Sequence, residues 1–304
     1  MAGLKAIKLK IKSIEKTGKV TKAMEAVSAA KMRKAQGKAI SGRAYARAAV
    51  AILARVSGSR ELANHPLTKV QQDPAKHETL YIVITSDKGL AGALNSGVLR
   101  AVWAEVKKNV ANTRVIAVGR KANDFFVARG VTVDAYHKNS DEITTALVEG
   151  IVAEAADRFA NNGVGVVKIA YQNFRTTFEQ WPTIRTIFPL SVEELSKVVH
   201  DITPAHGVFA DSGPGEPPAT YTVEPGEAEV FDVIVPRLAS IFVYHALMES
   251  QASEHSARMV AMKSASDKAG ELGESLTLKF NKARQAAITR EVSEITGGME
   301  AMAI

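Results

Sequence analysis

The stretch that decides the organisation of the chain is its beginning, MAGLKAIKLKIKSIEKTGKVTKAMEAVSAAKMRKAQ, residues 1–36. Its first apolar residues alternate at spacings of three and four: Leu4, Ile7, Ile11 and Ile14. This alternation is the seam of a coiled coil. No proline occurs before Pro66, so the sequence predicts one helix over residues 3 to about 57, roughly 80 Å long at about 1.5 Å per residue. A helix of that length requires an equally long partner.

The far end of the chain supplies that partner. Past Gly18 we expect the first seam to shift register to Val20, Met24 and Val27, with alanine taking over further along. After Pro236 no proline occurs again. A second heptad-like series follows: Met259, Met262, Ala269, Leu276, Phe280, Ala283 and Ala287. The two termini are therefore predicted to form an antiparallel coiled coil, with a domain inserted between them.

The middle of the chain alternates strand and helix patterns. The predicted strands are TLYIVITSD (79–87), TRVIAVG (113–119), VTVDAYH (131–137) and VGVVKIAYQNF (164–174), with a possible edge strand at PTIRTIFPL (182–190). The predicted helices lie at 92–109, 120–129, 141–160 and 191–199. This alternation indicates a small, mostly parallel, doubly wound α/β sheet.

These patterns predict four segments. They are an N-terminal coiled-coil helix (1–60), a Rossmann-like α/β domain (61–205), an acidic loop (206–229) and a C-terminal coiled-coil helix (230–304). The loop assignment rests on four prolines and five acidic residues in a stretch without any basic residue. The fold class is therefore α/β, with two long terminal helices around an inserted domain.

Charge is distributed very unevenly along the 304 residues. Residues 1–60 contain fifteen Lys and Arg against Glu15 and Glu25, a net charge of +13, whereas the whole chain carries +7. The remaining residues therefore sum to −6. Such a basic segment indicates an acidic protein partner, a nucleic acid or a membrane surface, or else a solvated helix face. The sequence contains no cysteine, which excludes thiolate zinc sites and cysteine nucleophiles.

Targeting and membrane signals are weak. The N-terminus lacks the continuous apolar stretch of a signal peptide. We find no apolar run that approaches the roughly 18 residues of a membrane span, so we expect no direct membrane insertion.

Nucleotide and metal motifs are incomplete. SDKGLAGALN (86–95) occupies the position of a dinucleotide-binding turn but lacks the G-x-G-x-x-G spacing, and no phosphate loop occurs. His245 and Glu249 are one helical turn apart, which without a third ligand favours a surface pair over a metal site. We find no catalytic constellation. We therefore expect no cofactor, no metal and no catalytic activity of the chain itself.

Protein contact has three alternatives as the role of the basic helix. A nucleic-acid-binding role would require aromatic residues for base stacking, and Tyr45 is the only aromatic residue in the first 60. A membrane-surface helix would require bulky apolar residues where this one has alanine. Protein contact fits the pattern best, and two rivals stay open: a purely structural coiled-coil stalk and a basic nucleic-acid-binding protein.

Four stretches of the chain resemble one family. The first 36 residues resemble the N-terminus of the gamma subunit of F-type ATP synthases. SDKGLAG (86–92) is similar to that family's Ser-Asp-Arg-Gly-Leu-Cys-Gly turn, with Lys88 for Arg and Ala91 for Cys. SEHSARMVAMKSASDKAGEL (253–272) and LTLKFNKARQAAITREVSEITGG (276–298) resemble its last helix.

The resemblance implies a rotor shaft of the bacterial type. In that family the coiled coil stands inside a ring of three alpha and three beta subunits. The α/β domain contacts epsilon and the ring of c subunits at the cytoplasmic face of the cell membrane. Proton flow turns the shaft, and rotation drives ATP synthesis on the beta subunits. The family resemblance also implies a peripheral location and a non-catalytic role, without contact to nucleic acid.

The resemblance also implies the contact residues. Those facing the alpha and beta subunits would be Met24, Lys31, Arg33, Lys34, Arg284, Gln285 and Thr289. Those in the foot of the rotor would be Tyr45, Tyr221 and Glu224. The missing cysteines argue against the redox switch of chloroplast relatives.

Overall fold

The computed structural model describes most of the chain. The described residues are 2–56, 62, 64–70, 77–161, 163–191 and 226–302. They form two compact units: unit 1 comprises residues 1–29 and 258–304, and unit 2 comprises residues 30–257. The predicted helix at 191–199 lies almost entirely outside the described residues, as does most of the predicted acidic loop.

The helices and strands follow the predicted order. The helices are α1 (Ala2–Val56), α2 (Leu94–Val106), α3 (Arg120–Val127), α4 (Thr145–Asn161) and α5 (Glu227–Met302). The strands are β1 (Glu78–Ile84), β2 (Thr113–Val118), β3 (Thr132–His137), β4 (Val164–Phe174) and β5 (Gln180–Phe188). The last helix begins three residues before the predicted boundary at 230 and includes Pro236. The α/β fold class with two long terminal helices is confirmed.

Unit 2 contains a five-stranded sheet with the order β3-β2-β1-β4-β5. Strands β1 to β4 are mutually parallel. The predicted edge strand is confirmed as β5, which pairs antiparallel with β4. The chain moves outward from β1 to β3, then crosses over to β4 on the other side of β1. The order of the strands therefore reverses between β1 and β4, which is the arrangement of a doubly wound sheet.

Alternate residues of the strands enter two separate cores. Leu80, Ile82 and Ile84 of β1 pack in one core with α4 and the first part of α5. Tyr81 and Val83 pack in the other core with α2 and α3. The alternation follows from the two-residue period of a strand. Both faces of the sheet are thus covered by helices, as the near-continuous apolar strands require.

The last helix differs from the expectation from the sequence, which predicted no apolar run of membrane-spanning length. By length and composition it contains one stretch of 18 residues that could cross a membrane, and 56% of that stretch is buried inside the protein. Leu238, Phe242 and Leu247 of this helix belong to the core beneath the sheet. The apolar composition of α5 is accounted for by this burial in unit 2.

Candidate interaction surface

The inner face of α1 runs in one unbroken register. The buried and half-buried residues on it are Leu4, Ile7, Ile11, Ile14, Gly18, Thr21, Glu25, Ser28, Met32 and Ala35. The predicted shift to Val20, Met24 and Val27 is therefore wrong for the two valines. Val20 and Val27 are 53% and 56% exposed, and Met24 is half-buried.

Beyond Gly18, the inner face of α1 is formed by small and polar side chains such as Thr21 and Ser28. Thr21 is buried although it is polar, because its hydroxyl donates to the carbonyls of Thr17 and Gly18 at 3.1 and 3.0 Å. A hydroxyl satisfied within its own helix can be buried at low cost. The apolar residues Val20 and Val27 are consequently left on the outer face of α1.

The inner face of α5 in unit 1 agrees with the prediction. All seven residues of the predicted series are buried or half-buried: Met259, Met262, Ala269, Leu276, Phe280, Ala283 and Ala287. The two inner faces approach closely. A Cβ on Gly18 would lie 3.4 Å from the Cβ of Ala269, and one on Gly273 would lie 4.0 Å from Cγ2 of Ile14. Small residues permit this short distance between helix axes.

The same small residues leave a groove along unit 1. Its volume is about 1000 Å³, and Gly18, Gly270 and Gly273 contribute to its lining. Lys19 and Lys22 stand on its α1 side. Lys22 also forms an ion pair with Glu25 at 3.2 Å, one turn further along α1.

The predicted basic cluster on α1 divides into two parts. Arg33 and Lys34 are exposed. The Lys31 ammonium instead lies 2.5 Å from Oδ2 of Asp141, in the loop between β3 and α4. This hydrogen bond lowers the pKa of Asp141, although partial burial opposes the shift. Lys31 is therefore already paired with a carboxylate of its own chain, within unit 2.

The predicted contact residues of α5 are all exposed. Arg284, Gln285 and Thr289 lie on the surface of the helix. The Thr289 hydroxyl donates to the backbone carbonyl of Gln285 at 3.0 Å.

An apolar stripe continues beyond these residues to the end of α5. Its members are all more than half exposed: Ile288, Val292, Ile295 and Met299. Every residue from 288 to 299 is exposed. The stripe repeats at spacings of three and four, so it occupies one face of the helix.

The foot residues are less well defined. Tyr45 lies within α1, and its side chain is outside the described part of the structure. Tyr221 and Glu224 lie outside the described residues altogether. All three remain predictions.

The turn after β1 is held by side chains of the protein. The backbone N–H of Ser86 donates to Oδ1 of Asn95 at 3.0 Å, and Nδ2 of Asn95 donates to the Ser86 hydroxyl at 2.7 Å. Thr85 accepts the N–H of Ala122, and Asp87 accepts that of Arg120 at 2.8 Å. The first-turn donors of α3 are thus bound by the protein's own oxygens.

His245 lies in a different environment from the one predicted. His245 is only 3% exposed, so the expected surface pair with Glu249 is wrong. The first part of α5 lies under the sheet and buries this residue, which helical spacing alone could not reveal. Among the described residues, no group of three His, Asp or Glu side chains could hold a metal ion.

Asp141 is the residue that the sequence did not indicate. It is 110 residues from Lys31 along the chain, and no motif surrounds it. Only the crossover of the chain from β3 to α4 brings this loop to α1.

Comparison with known proteins decides the family. The family model described as ATP synthase matches residues 3–302. The chain is 36% identical over 305 residues to the ATP synthase gamma chain of Heliobacterium modesticaldum, covering 99% of this chain and 100% of the relative. This chain belongs to the ATP synthase gamma-chain family. The relative from Pelotomaculum thermopropionicum, also an ATP synthase gamma chain, is 36% identical over 303 residues, with 99% and 100% coverage.

Solved structures show the same fold. A chain of the Euglena gracilis mitochondrial ATP synthase, in a structure of OSCP, F1 and the c-ring, matches with a TM-score of 0.66 at 22% identity. That match covers 99% of this chain and 95% of the other. A chain of the central stalk and c-ring of the Tetrahymena thermophila enzyme matches with a TM-score of 0.58 at 24% identity, over 81% and 99%.

Family membership decides between the functions considered from the sequence. As a member of the ATP synthase gamma-chain family, the chain is a subunit of the ATP synthase complex, peripheral to the membrane. The prediction of that function is confirmed, and the nucleic-acid-binding and purely structural alternatives are not favoured.

Proposed function

We propose that this chain is the central rotor shaft of a bacterial F-type ATP synthase. In this role it couples proton-driven rotation of the c-ring to ATP synthesis in the ring of alpha and beta subunits. The observation that carries the proposal is the exposed apolar stripe at the end of α5, formed by Ile288, Val292, Ile295 and Met299.

The stripe requires a covering surface. A regular row of apolar side chains along one face of an exposed helix is unfavourable in water and marks a contact with another chain. The end of α5, turning inside a ring of subunits, would contact an apolar inner surface of the ring at every rotational angle. Apolar contact is non-directional, so it holds the tip of the shaft without fixing its angle.

The charges of α1 fit the same role. Arg33 and Lys34 are exposed, and we propose that they face acidic loops of the beta subunits together with Met24. Exposed ion pairs are individually weak, so such contacts break and re-form as the shaft turns. A contact of Lys31 with the ring remains a prediction. It would require the Lys31 ammonium to break its ion pair with Asp141 or to bind a second carboxylate beside it.

Coupling arises from the difference between the two helices. The described outer face of α1 is strongly basic, whereas Gln285, Thr289 and the apolar stripe make the distal outer face of α5 largely neutral. Three otherwise equivalent beta subunits would therefore meet three different surfaces at any moment. Differential contact of this kind shifts each subunit toward a different conformation.

The remaining roles follow from this assignment. Catalysis belongs to the beta subunits, so the chain itself is non-catalytic and requires no cofactor. We further propose that Tyr45, Tyr221 and Glu224 contact epsilon and the c-ring at the cytoplasmic face of the membrane. The shaft enters no lipid and binds no nucleic acid.

The decisive experiment is co-expression with the alpha and beta chains of the same organism. We expect a complex with one copy of this chain for three of each partner. With the ring fixed to a surface, a bead on the α/β domain should rotate in one direction when ATP is added. A complex in which the bead stays at a fixed angle during ATP hydrolysis would indicate a static stalk and overturn the proposal.

A further inference from the structure

The carboxyl ends of β1 and β4 meet at the point where the strand order reverses. In doubly wound sheets, the crevice at this point is the usual place for a ligand. In this chain the region is occupied by polar side chains of α5 and by the loop between β3 and α4.

Two buried hydroxyls fasten α5 to β4 and the hairpin that follows it. The Ser253 hydroxyl donates to the carbonyl of Gln172 at 3.2 Å, and the Ser256 hydroxyl donates to the carbonyl of Thr177 at 2.5 Å. Both serines are completely buried. Directional hydrogen bonds in a buried place resist sliding of the helix along the sheet more than apolar contacts do.

The loop between β3 and α4 is bonded on two sides. Asn139 donates its amide to the carbonyl of Thr85 at the end of β1, at 2.8 Å. Gln251 of α5 donates to the carbonyl of Ser140 at 3.2 Å. Next to it, Asp141 forms the ion pair with Lys31 of α1. One short loop thus connects the sheet to both long helices.

These contacts lie close, along the chain, to the ends of unit 2. The unit begins at residue 30 and ends at residue 257. Lys31 and Ser256 are each one residue inside those limits. A torque that passes between the α/β domain and the shaft must pass through α1 and α5 at these residues.

We propose that this set of contacts, the joint formed by Lys31, Asp141, Gln251, Ser253 and Ser256, transmits torque between the α/β domain and the two long helices. The proposal rests on the rotor function proposed above. In this chain, the crevice that usually holds a ligand in a doubly wound domain would instead have a mechanical role. Without the joint, the helices can twist within the domain, and part of each rotational step is lost as elastic deformation.

The test measures torsional stiffness in the assembled complex. The alpha and beta ring is fixed, the shaft is stalled by removing ATP, and the angular fluctuation of a bead on the α/β domain is recorded. Asp141→Asn removes the ion pair and leaves Lys31 unchanged. We expect the mean-square angle to rise by about twofold, as suits a partly exposed ion pair. Ser253→Ala with Ser256→Ala should raise it further.

Two controls isolate the joint. The exchanged pair, Lys31→Asp with Asp141→Lys, should lower the fluctuation below that of Asp141→Asn, because an attraction between the two positions returns with the charges reversed. The recovery should be partial, since His255, 3.8 Å from Asp141, and Lys88 favour a negative charge at position 141. Lys107→Ala, at an exposed lysine just after α2, should change nothing. If the double serine variant fails to fold, Asp141→Asn and the exchanged pair still decide, since both change only an ion pair whose side chains are 40% and 61% exposed.

The outcomes separate the two proposals. A parent bead that never rotates overturns the rotor function itself. A rotating parent whose Asp141→Asn and double serine variants fluctuate no more than it does overturns the joint alone. A softer Asp141→Asn variant that the exchanged pair stiffens again supports the joint.

Discussion

Gly18 of α1 and Ala269 of α5 face each other so closely that a Cβ on Gly18 would lie 3.4 Å from that of Ala269. This distance is ordinary van der Waals contact and leaves room for one methyl group only. The slenderness of the coiled coil in unit 1 depends on this contact, because a larger side chain would separate the helices.

The first prediction concerns this contact. Gly18→Ala should stabilise the chain by about 0.5–1 kcal/mol, because alanine is the better helix former and its methyl fits. Gly18→Leu should destabilise it by about 1–3 kcal/mol through overpacking. Thermal unfolding followed by circular dichroism measures both. Gly270→Leu is the matched control, since a Cβ there has no neighbour within 4 Å. Equal effects of the two leucines would contradict the close contact.

The second prediction concerns the end of β2. Gly119 has a φ of 97°, and a Cβ there would lie 2.1 Å from the carbonyl oxygen of Thr85. Gly119→Ala should cost about 3 kcal/mol or more, because backbone strain and a collision with backbone combine. Gly130→Ala, with a φ of 70° and no neighbour within 4 Å, should cost only about 1 kcal/mol. Urea unfolding followed by the fluorescence of Trp103 and Trp181 measures the difference.

The third prediction concerns pH. The Lys31 hydrogen bond lowers the pKa of Asp141 against the opposing effect of partial burial, and His255 and Lys88 also favour its ionised form. A depressed folded pKa gives stability that is present above the unfolded pKa of about 3.9 and is lost as pH falls through the lower folded value. The stability difference between the parent and Asp141→Asn should therefore shrink below about pH 4. A difference that stays constant down to pH 2 would show that the ion pair contributes nothing.

The fourth prediction concerns the outer face of α5. Because the chain has no cysteine, Gln285→Cys and Thr289→Cys each introduce a single reactive thiol. In the assembled complex, a cross-linker should join these positions to alpha or beta. Ala283→Cys is the control, since this residue lies half-buried on the inner face and should react much less. Products confined to this chain would refute the proposed interface.

The fifth prediction concerns the exposed charges of α1. Arg33→Glu with Lys34→Glu should reduce ATP synthesis driven by a proton gradient, because the reversed charges would repel acidic loops of the ring. The α/β domain should stay folded, since both side chains are exposed. Replacement by Gln should instead make coupling less sensitive to salt than in the parent, because the Debye length is about 10 Å at 0.1 M. Coupling that survives charge reversal unchanged would refute the contact.

Regular patterns allowed most of the fold to be predicted. The strands of the sheet were found because β-branched runs between turn residues have few other structures open to them. The inner face of α5 was found because Leu276 and Phe280 mark it with bulky side chains. On α1 the same reasoning failed beyond Gly18, since apolar Val20 and Val27 face outward while Thr21 and Ser28 face inward. There, size and local hydrogen bonding outweigh hydrophobicity.

The interaction surface was predictable only in part. The exposed state of Arg284, Gln285 and Thr289 followed from helical geometry once the inner face was known. The pairing of Lys31 with Asp141 had no signal in the sequence, because the two residues meet through the crossover between β3 and α4. His245 was misplaced for a similar reason, since the sheet that covers it is formed by distant strands.

The sequence by itself determined the elements, the two long terminal helices and the family, because these depend on local periodicity and on motifs that are continuous along the chain. The tertiary structure alone decided which faces of those helices are enclosed and which charges remain available to a partner. The physical reason is that burial and ion pairing depend on distances between residues far apart in sequence. Lys31 is an example: in the sequence it is one of many basic residues of α1, and in the fold it forms an ion pair that links α1 to the α/β domain.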